Sequence, residues 1–444
     1  SASQFDKRVY YHTHDITSAL RSGCNALGVI LGYGLFKQFA SDAWDFHKTP
    51  WRSHLKLLCQ LHVTYRDGSE SVMYSDESWK HASSPITYNE LRTGEFYDAR
   101  KEIPGWSEPG FDDSDWKQAP IVTGPGGKLC SMQMTPIKAT GTIKPKALTE
   151  VKPGVFVYDL GQNISGWARL KAAGPEGATV TLRFAEKVLK NGALDSGNIK
   201  SLVHSEDFQT DRYTFKGKGI ETWEPRFTYH GFQFVEISGF PGVPSLDTIE
   251  GVVVHTGLDS RGGFECANST LNAIQMATRW SDLGNYHGFP TDCPHREKNG
   301  WMGDAHLSAE QLLLNFAPMS AYRKWLRDIF DTQRPNGQLP CIVPNSSWGF
   351  NWGSGPAWDS AALIIPWALY TYCGDLDALA EHYASMARYL DFALSMRKAD
   401  GTIEFGLGDW CPVDWKRICP PNITDTAYIY VDAVILSISA RLLG

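Results

Sequence analysis

The stretch TDCPHREKNGWMGDAH, residues 291–306, concentrates titratable side chains in one short segment. Its three carboxylates, Asp292, Glu297 and Asp304, cannot share a helix face, because a proline and an Asn-Gly pair between them break any helix. The segment is therefore predicted to be a loop that can fold all three carboxylates toward one point. Carboxylates held together push one another's pKa values apart, so that one of them can stay protonated near neutral pH. A general acid that protonates a leaving oxygen must be such a group.

Three interpretations of this loop remain open on spacing alone. In the first, the acids are catalytic and Arg296 offers a planar fork for a carboxylate or for vicinal hydroxyls. In the second, the segment is a charged connection between two helices, and Asp304 is a helix N-cap. In the third, His295 and His306 bind a metal ion beside the acids, although no H-x-x-x-H or H-E-x-x-H spacing supports such a site. We predict no metal ligands and no cofactor.

Two later loops also place tryptophan beside aspartate. They are NSSWGFNWGSGPAWDSA (345–361) and EFGLGDWCPVDW (404–415). Both leave helices on the rim where the first loop is expected. An indole ring can stack on a sugar ring while a nearby acid binds the sugar hydroxyls, so this combination is typical of a carbohydrate pocket. The alternative is that these tryptophans fill the space between the loops and the helices.

Hydrophobic patterns place all three loops in a helical half that follows a β-rich half. Up to about residue 255, alternating or β-branched runs between turn signals predict strands, among them NALGVILGYG (25–34) and VFVYDLG (155–161). From residue 265 onward, six segments have helical periodicity. We therefore predict two N-terminal β-sandwich domains, over 1–140 and 141–258. Six helices over 259–444 would follow as three hairpins, which is half of a closed helical toroid.

Composition excludes several classes of protein. The chain has 444 residues, of which 42% are hydrophobic, and this argues against wholesale disorder. A net charge of −7 without a long basic run argues against nucleic-acid binding. Nine scattered cysteines without a CxxC pair argue against a zinc site or a disulfide framework and favour a reducing compartment. No apolar run reaches 18 residues, so we predict no membrane span. The oligomeric state is not predicted.

The chain resembles a known family in several motifs that occur in the same order. Residues 292–304 match D-C-P-x-R-[DE]-x-x-G-W-x-G-D, a segment of bacterial α-L-rhamnosidases. In the β-rich half, LRTGEFYDARKEIPGWSEPGFDDSDW (91–116) and VFVYDLGQNISGWARLK (155–171) resemble signatures of that family's two N-terminal β-sandwich domains. The segment 212–239 matches as well. The resemblance thus covers nearly the whole chain.

The resemblance implies an inverting glycoside hydrolase with an (α/α)6 catalytic barrel, which releases terminal α-L-rhamnose from polysaccharides or glycosides. A rhamnose-containing carbohydrate would be its substrate. Glu297 would be the general acid, and the substrate-binding residues would be Asp292, Arg296, Trp301, Asp304 and Trp358. Two other functions remain open: a glycosidase acting on another α-L- or deoxy-sugar, and a carbohydrate-binding protein without catalysis.

The chain also departs from the family pattern. The family's general base lies in a GATT-x-W-E-like segment, and its C-terminal β domain follows the barrel; these 444 residues contain neither. Asp409 and Asp414 are the late loop acids, but their motif matches an earlier family loop, so neither is assigned as the base. We expect the sequence to be a piece of a longer protein, inactive and poorly folded alone, because three hairpins leave apolar surface uncovered. Calcium binding is not predicted, since no D-x-D-x-D-G loop is present.

Overall fold

The computed structural model describes residues 2–197 and 199–444. Within these residues, a β-rich half precedes a helical half, which confirms the predicted fold class. The strands are β1 (Arg8–Tyr11), β2 (Ser41–Asp42), β3 (Gln60–Thr64), β4 (Glu70–Tyr74), β5 (Lys80–His81), β6 (Ile86–Glu90), β7 (Gly94–Asp98), β8 (Lys117–Gln118), β9 (Lys128–Ser131), β10 (Ile137–Ile143), β11 (Ala147–Lys152), β12 (Val155–Ala173), β13 (Thr179–Ala185), β14 (Lys187–Val188), β15 (Leu194–Asp195), β16 (Val203–His204), β17 (Thr210–Thr214), β18 (Ile220–Trp223), β19 (His230–Ser238) and β20 (Ile249–Thr256). The helices are α1 (Ser269–Gly284), α2 (Met302–Asn315), α3 (Met319–Asp331), α4 (Pro356–Asp359), α5 (Ala361–Cys373), α6 (Leu376–Ser395) and α7 (Pro421–Leu443).

The main sheet has ten strands in the order β10-β20-β12-β19-β13-β17-β7-β6, with β11 and β18 also paired to β12. The 19-residue β12 is its centre, and its alternating apolar side chains, including the fully buried Tyr158 and Leu160, line the core of the β-rich half. Strands β6 and β7 join this sheet through a parallel pairing of β7 with β17. The segments predicted as two sandwiches therefore share hydrogen-bonded strands.

The strand predicted over 25–34 was wrong. Gly28 and Gly32 press their backbone against aromatic rings, and a Cβ atom at these positions would lie 2.2 Å from Trp106 and 2.1 Å from Phe227. The backbone passes over these rings as an irregular segment, and the apolar side chains between the glycines stay exposed. Alternating hydrophobicity therefore did not indicate a hydrogen-bonded strand here, because the two glycines allow the backbone to approach aromatic rings instead.

The six predicted helices are present, and the four-residue α4 precedes α5. The apolar α5 packs against α2, α3, α6 and α7, which makes it the centre of the helical half. Trp325 and Leu326 of α3 are fully buried in the same core. This core also contains Trp44 and Phe46 from the β-rich half. Part of the β-rich half therefore packs into the core of the helical half, while the main sheet has a core of its own.

Helix α7 is the one described helix that is long and apolar enough to cross a membrane by length and composition. Its Asp425 and Asp432 are nevertheless fully buried against other helices, and the Ser360 hydroxyl donates a 2.7 Å hydrogen bond to Asp432. Buried, hydrogen-bonded carboxylates are typical of a helix packed within a protein.

Candidate functional site

The charged loop joins α1 to α2 and is closed by its own backbone. The Asp292 N–H donates to the Asn299 carbonyl at 3.0 Å, and the Asn299 N–H donates to Asp292 Oδ1 at 3.0 Å. At its end, the Val343 N–H donates to the Gly300 carbonyl at 2.9 Å, which ties the loop to the segment before the first tryptophan-rich loop. Residues 292–299 therefore form a compact turn against the barrel rim.

Glu297 lies inside this turn with 7% of its surface exposed. One carboxylate oxygen accepts a 2.6 Å hydrogen bond from Arg296 Nη2, and the other accepts a 2.8 Å hydrogen bond from Trp301 Nε1. A carboxyl fixed at both oxygens has a defined direction, which proton transfer to a bound substrate requires. The predicted residues Arg296, Glu297 and Trp301 are thus in direct contact.

Asp292 is joined to Glu297 through the thiol of Cys293. The Cys293 S–H donates to Asp292 Oδ2 at 3.0 Å, and its sulfur accepts the Glu297 N–H at 3.2 Å. Burial raises the pKa of Asp292 well above its usual value, and the negative charge of Glu297 raises it further. The pKa of Cys293 is also raised, first by burial and then by the charge of Asp292, so the group stays a thiol. Asp292 therefore holds its proton to a higher pH than an ordinary aspartate does.

Asp304 lies in the first turn of α2, where its charge faces unpaired backbone amides. It is not the N-cap, because Trp301 occupies that position. Although Asp304 is exposed at the surface, the surrounding protein raises its pKa to about 6, through desolvation first and then through the charge of Glu297. Asp304 and Asp292 line one cavity of about 330 Å³ together with Asp282. The structure therefore brings these two predicted acids to a common space.

The two histidines of the loop do not share a site. His295 Nε2 lies 3.4 Å from a carboxylate oxygen of Glu186 in the β-rich half. His306 Nε2 lies 2.8 Å from the carbonyl of Ala357 on the other side of α2. The described geometry gives no support to the interpretation in which both bind one metal ion.

Five tryptophans form a continuous series that starts at the Glu297 hydrogen bond. Neighbouring ring centroids are 5.4 to 6.4 Å apart, and the series runs from Trp301 to Trp348, Trp352, Trp410 and Trp415. The last three rings are half-exposed or more, up to 61% for Trp415. The interpretation that the loop tryptophans only fill space is therefore wrong for these three rings.

Trp358 has the opposite character, since only 9% of its surface is exposed. Its ring covers Gly303 at the start of α2, where a Cβ atom would lie 2.8 Å from the indole. Its Nε1–H has no hydrogen-bond partner. Trp358, in α4, therefore packs on Gly303, the residue before Asp304 in α2, and it is not hydrogen-bonded to Glu297.

Asp409 and Asp414 accept hydrogen bonds from backbone groups of their own loop. Asp409 Oδ2 accepts the Cys419 N–H at 2.9 Å, and Asp414 Oδ1 accepts the Lys416 N–H at 3.0 Å. The first bond spans ten residues of the loop and the second closes a local turn, and neither carboxylate is hydrogen-bonded to Glu297.

Sequence reasoning missed three residues that hold the loop: Arg92, Cys293 and Lys298. Arg92 Nε donates to the Glu297 carbonyl at 2.8 Å, and Lys298 Nζ donates to the carbonyls of Leu91 and Tyr229 at 2.6 and 2.5 Å. Burial lowers the pKa of Lys298 to about 7. All three lie in family-like motifs, and Cys293 is a named position of one, but the motifs did not indicate that these residues hold the loop.

Three family models match successive parts of the chain. The alpha-L-rhamnosidase N-terminal domain matches residues 1–141, the bacterial alpha-L-rhamnosidase concanavalin-like domain matches 149–255, and the bacterial alpha-L-rhamnosidase 6 hairpin glycosidase domain matches 259–444.

Individual relatives agree with these models. An alpha-L-rhamnosidase of Formosa agariphila is 36% identical over 96% of this chain and 47% of its own length, and one of Streptomyces avermitilis is 37% identical over 100% and 42%. The chain thus spans about half the length of the curated relatives it matches. The solved alpha-L-rhamnosidase from Dictyoglumus thermophilum has a TM-score of 0.91 and 42% identity, covering all of this chain and 48% of that chain. The Streptomyces avermitilis enzyme complexed with L-rhamnose has a TM-score of 0.90 and 34% identity, covering all of this chain and 42% of that one.

Proposed function

Because the chain belongs to the bacterial α-L-rhamnosidase family, we propose that the protein hydrolyses terminal, non-reducing α-L-rhamnose from polysaccharides or glycosides with inversion. The relatives named as alpha-L-rhamnosidases support this activity, and the relative solved with L-rhamnose supports the sugar. The three matched segments support a division of the chain near residues 140 and 258 into two β-sandwich domains and the first half of the catalytic barrel.

Glu297 is the proposed general acid. The observation behind this role is its placement: a fixed, nearly buried carboxyl whose charge acts on both Asp292 and Asp304, at the inner end of a series of tryptophans that reaches the surface. To act as an acid, Glu297 must hold a proton when the substrate is bound.

The other predicted residues act on the sugar. Asp292 and Asp304 bind hydroxyls from the cavity that they share. Arg296 hydrogen-bonds ring substituents with those guanidinium N–H groups that Glu297 does not use. Trp301 forms an apolar wall beside the acid, and Trp358 forms a second aromatic surface over the start of α2.

Inversion needs a second carboxylate that activates water on the opposite face of the sugar. We propose that this general base is supplied from outside residues 1–444, because the segment in which the family carries it does not occur among them.

The experiment is hydrolysis of 4-nitrophenyl α-L-rhamnopyranoside by the full-length protein, with proton NMR of the sugar first released. We expect the β-anomer first, and we expect Glu297→Gln to reduce kcat by about 10²-fold or more while rhamnose binding persists. Glu265→Gln is the control, since Glu265 is an exposed glutamate away from the loop. Wild-type rates in Glu297→Gln would exclude Glu297 as the acid. A panel of nitrophenyl glycosides separates the rhamnosidase from an enzyme for another deoxy-sugar, and turnover of none would support a binding protein.

A further inference from the structure

Arg92 connects the β-rich half directly to the backbone of the proposed acid. It lies in the turn between β6 and β7 and has no exposed surface. Its Nε donates to the Glu297 carbonyl at 2.8 Å, and its Nη2 donates to Asn299 Oδ1 at 2.7 Å. These partners are 205 and 207 residues away in sequence. One guanidinium thus bonds to the residue that bears the acid and to the residue that closes its turn.

The remaining side of the guanidinium is fixed within the β-rich half. Nη1 donates to Gln38 Oε1 at 2.5 Å and lies 3.2 Å from Asp42 Oδ2, with both charged side chains completely buried. The rings of Trp44 and Phe46 lie 5.4 and 5.0 Å from the guanidinium carbon. A planar cation held by a carboxylate, an amide and two rings has little freedom to move. Its position therefore defines the position of the Glu297 carbonyl.

Lys298 provides a second anchor on the other side of Glu297. Its ammonium reaches back to the carbonyls of Leu91 and Tyr229 and lies 4.3 Å from the Tyr229 ring centroid. Its backbone has φ = +53°, in the left-handed region that side chains rarely adopt. Strained conformations persist where the surroundings impose them, and they cluster at functional sites. The acid is thus attached to the β-rich half at its own carbonyl and at the next side chain.

We propose that Arg92 is a positioning residue for catalysis: it fixes the Glu297 backbone so that the carboxyl meets the glycosidic oxygen, and the β-rich half is thereby part of the catalytic apparatus. The inference rests on the proposed function of Glu297. A displacement of about 1 Å in a reacting group can reduce a rate by about 10²-fold. Arg92 makes no hydrogen bond to the carboxyl oxygens of Glu297, so it acts on the acid through the position of the backbone.

This role has a kinetic consequence that a purely structural role lacks. Proton donation matters most when the leaving group is a strong base and least when it leaves readily as an anion. A misplaced acid should therefore slow a glycoside with a poor leaving group much more than one with an activated leaving group. General loss of folded protein would slow both equally.

The test compares phenyl and 2,4-dinitrophenyl α-L-rhamnosides in the full-length protein. We expect Arg92→Gln to reduce kcat for the phenyl glycoside by about tenfold or more beyond any reduction for the dinitrophenyl glycoside, with KM nearly unchanged. Arg8→Gln is the matched control, because Arg8 also joins the two halves, through Asp331 at 2.6 and 2.9 Å, without touching the loop. It should affect both substrates alike.

Asn299→Ala is the second variant, because it removes one Arg92 bond while the buried Arg92–Asp42 pair remains. It should show the same dependence on leaving group to a smaller degree, and it decides the matter if Arg92→Gln does not fold. Equal losses for both substrates in the folded variants would overturn the positioning role. If wild-type protein hydrolyses neither substrate, the proposed function itself fails, and that outcome is distinct from the first.

Discussion

Replacement of Asp432 by asparagine should stabilise the protein, and more so at high pH. Asp432 has no exposed surface; one oxygen accepts the Ser360 hydroxyl at 2.7 Å, and the other has no partner. Burial raises its pKa to about 7 from the usual 3.8. The titratable groups that interact with its charge are Asp359, Tyr389 and Tyr428, and none of them is a cation.

The direction in which stability changes with pH follows from proton binding to Asp432. Between about pH 4 and pH 7 the folded protein holds the Asp432 proton more tightly than the unfolded chain does, so stability falls as pH rises through this window. The rise of this pKa from 3.8 to about 7 corresponds to a loss of folding stability of about 4 kcal/mol at pH 8, where Asp432 is mostly ionised in both states. At pH 5 the loss is only about 1.5 kcal/mol. Asparagine keeps an acceptor for Ser360 without the charge. The stability gained by Asp432→Asn should therefore grow by about 2–3 kcal/mol from pH 5 to pH 8.

Urea unfolding followed by tryptophan fluorescence at pH 5 and pH 8 measures this difference. Asp391→Asn is the control, since Asp391 is an exposed aspartate on α6. It should change the free energy of unfolding by less than about 0.5 kcal/mol at either pH. A gain for Asp432→Asn that is the same at both pH values, or a loss that grows with pH, would refute the reasoning.

Two further substitutions test packing. Gly231→Ala would place a Cβ 2.7 Å from Pro294 and 2.9 Å from the His295 backbone nitrogen. It should therefore shift the loop that bears Glu297 and lower kcat about tenfold or more. Gly141→Ala is the control on the same sheet, because a Cβ there has open space and should leave kcat unchanged. Leu326→Ala in the core should lower the free energy of unfolding, measured in urea, by about 2–5 kcal/mol. Leu307→Ala, at an exposed position, should lower it by less than about 0.5 kcal/mol. Equal losses would contradict the assignment of the core.

Local patterns predicted the parts of this fold that depend on local physics. The six helices follow from apolar spacing, and the loop at 291–306 follows from a proline and an Asn-Gly pair that no helix accommodates. The same reasoning predicted that the loop gathers its acids, but it did not predict the contacts of Glu297 with Arg296 and Trp301. The resemblance to a family added the roles of these residues, which spacing alone left open.

Long-range contacts were beyond such reasoning. Nothing near Arg92 indicates a partner 205 residues away, and Lys298 in a charged loop looks like a solvated side chain, although it is almost fully buried. The irregular segment 25–34 was missed for a related reason. This segment forms no strand, and its glycines lie against the rings of Trp106 and Phe227. Those rings are distant in sequence and contact the glycines only in the folded protein.

The charge density of the loop can now be explained by its unequal burial. Burial, and then the charge of Glu297, raise the pKa of Asp292 well above its usual value. The Arg296 guanidinium is hydrogen-bonded to Glu297. Lys298, whose pKa is about 7, donates hydrogen bonds to backbone carbonyls of the β-rich half. Arg296 is therefore the cation that lies directly against an acid of the loop. A site with more acid than cation takes up a proton more readily when a sugar excludes water, and a general acid requires that response.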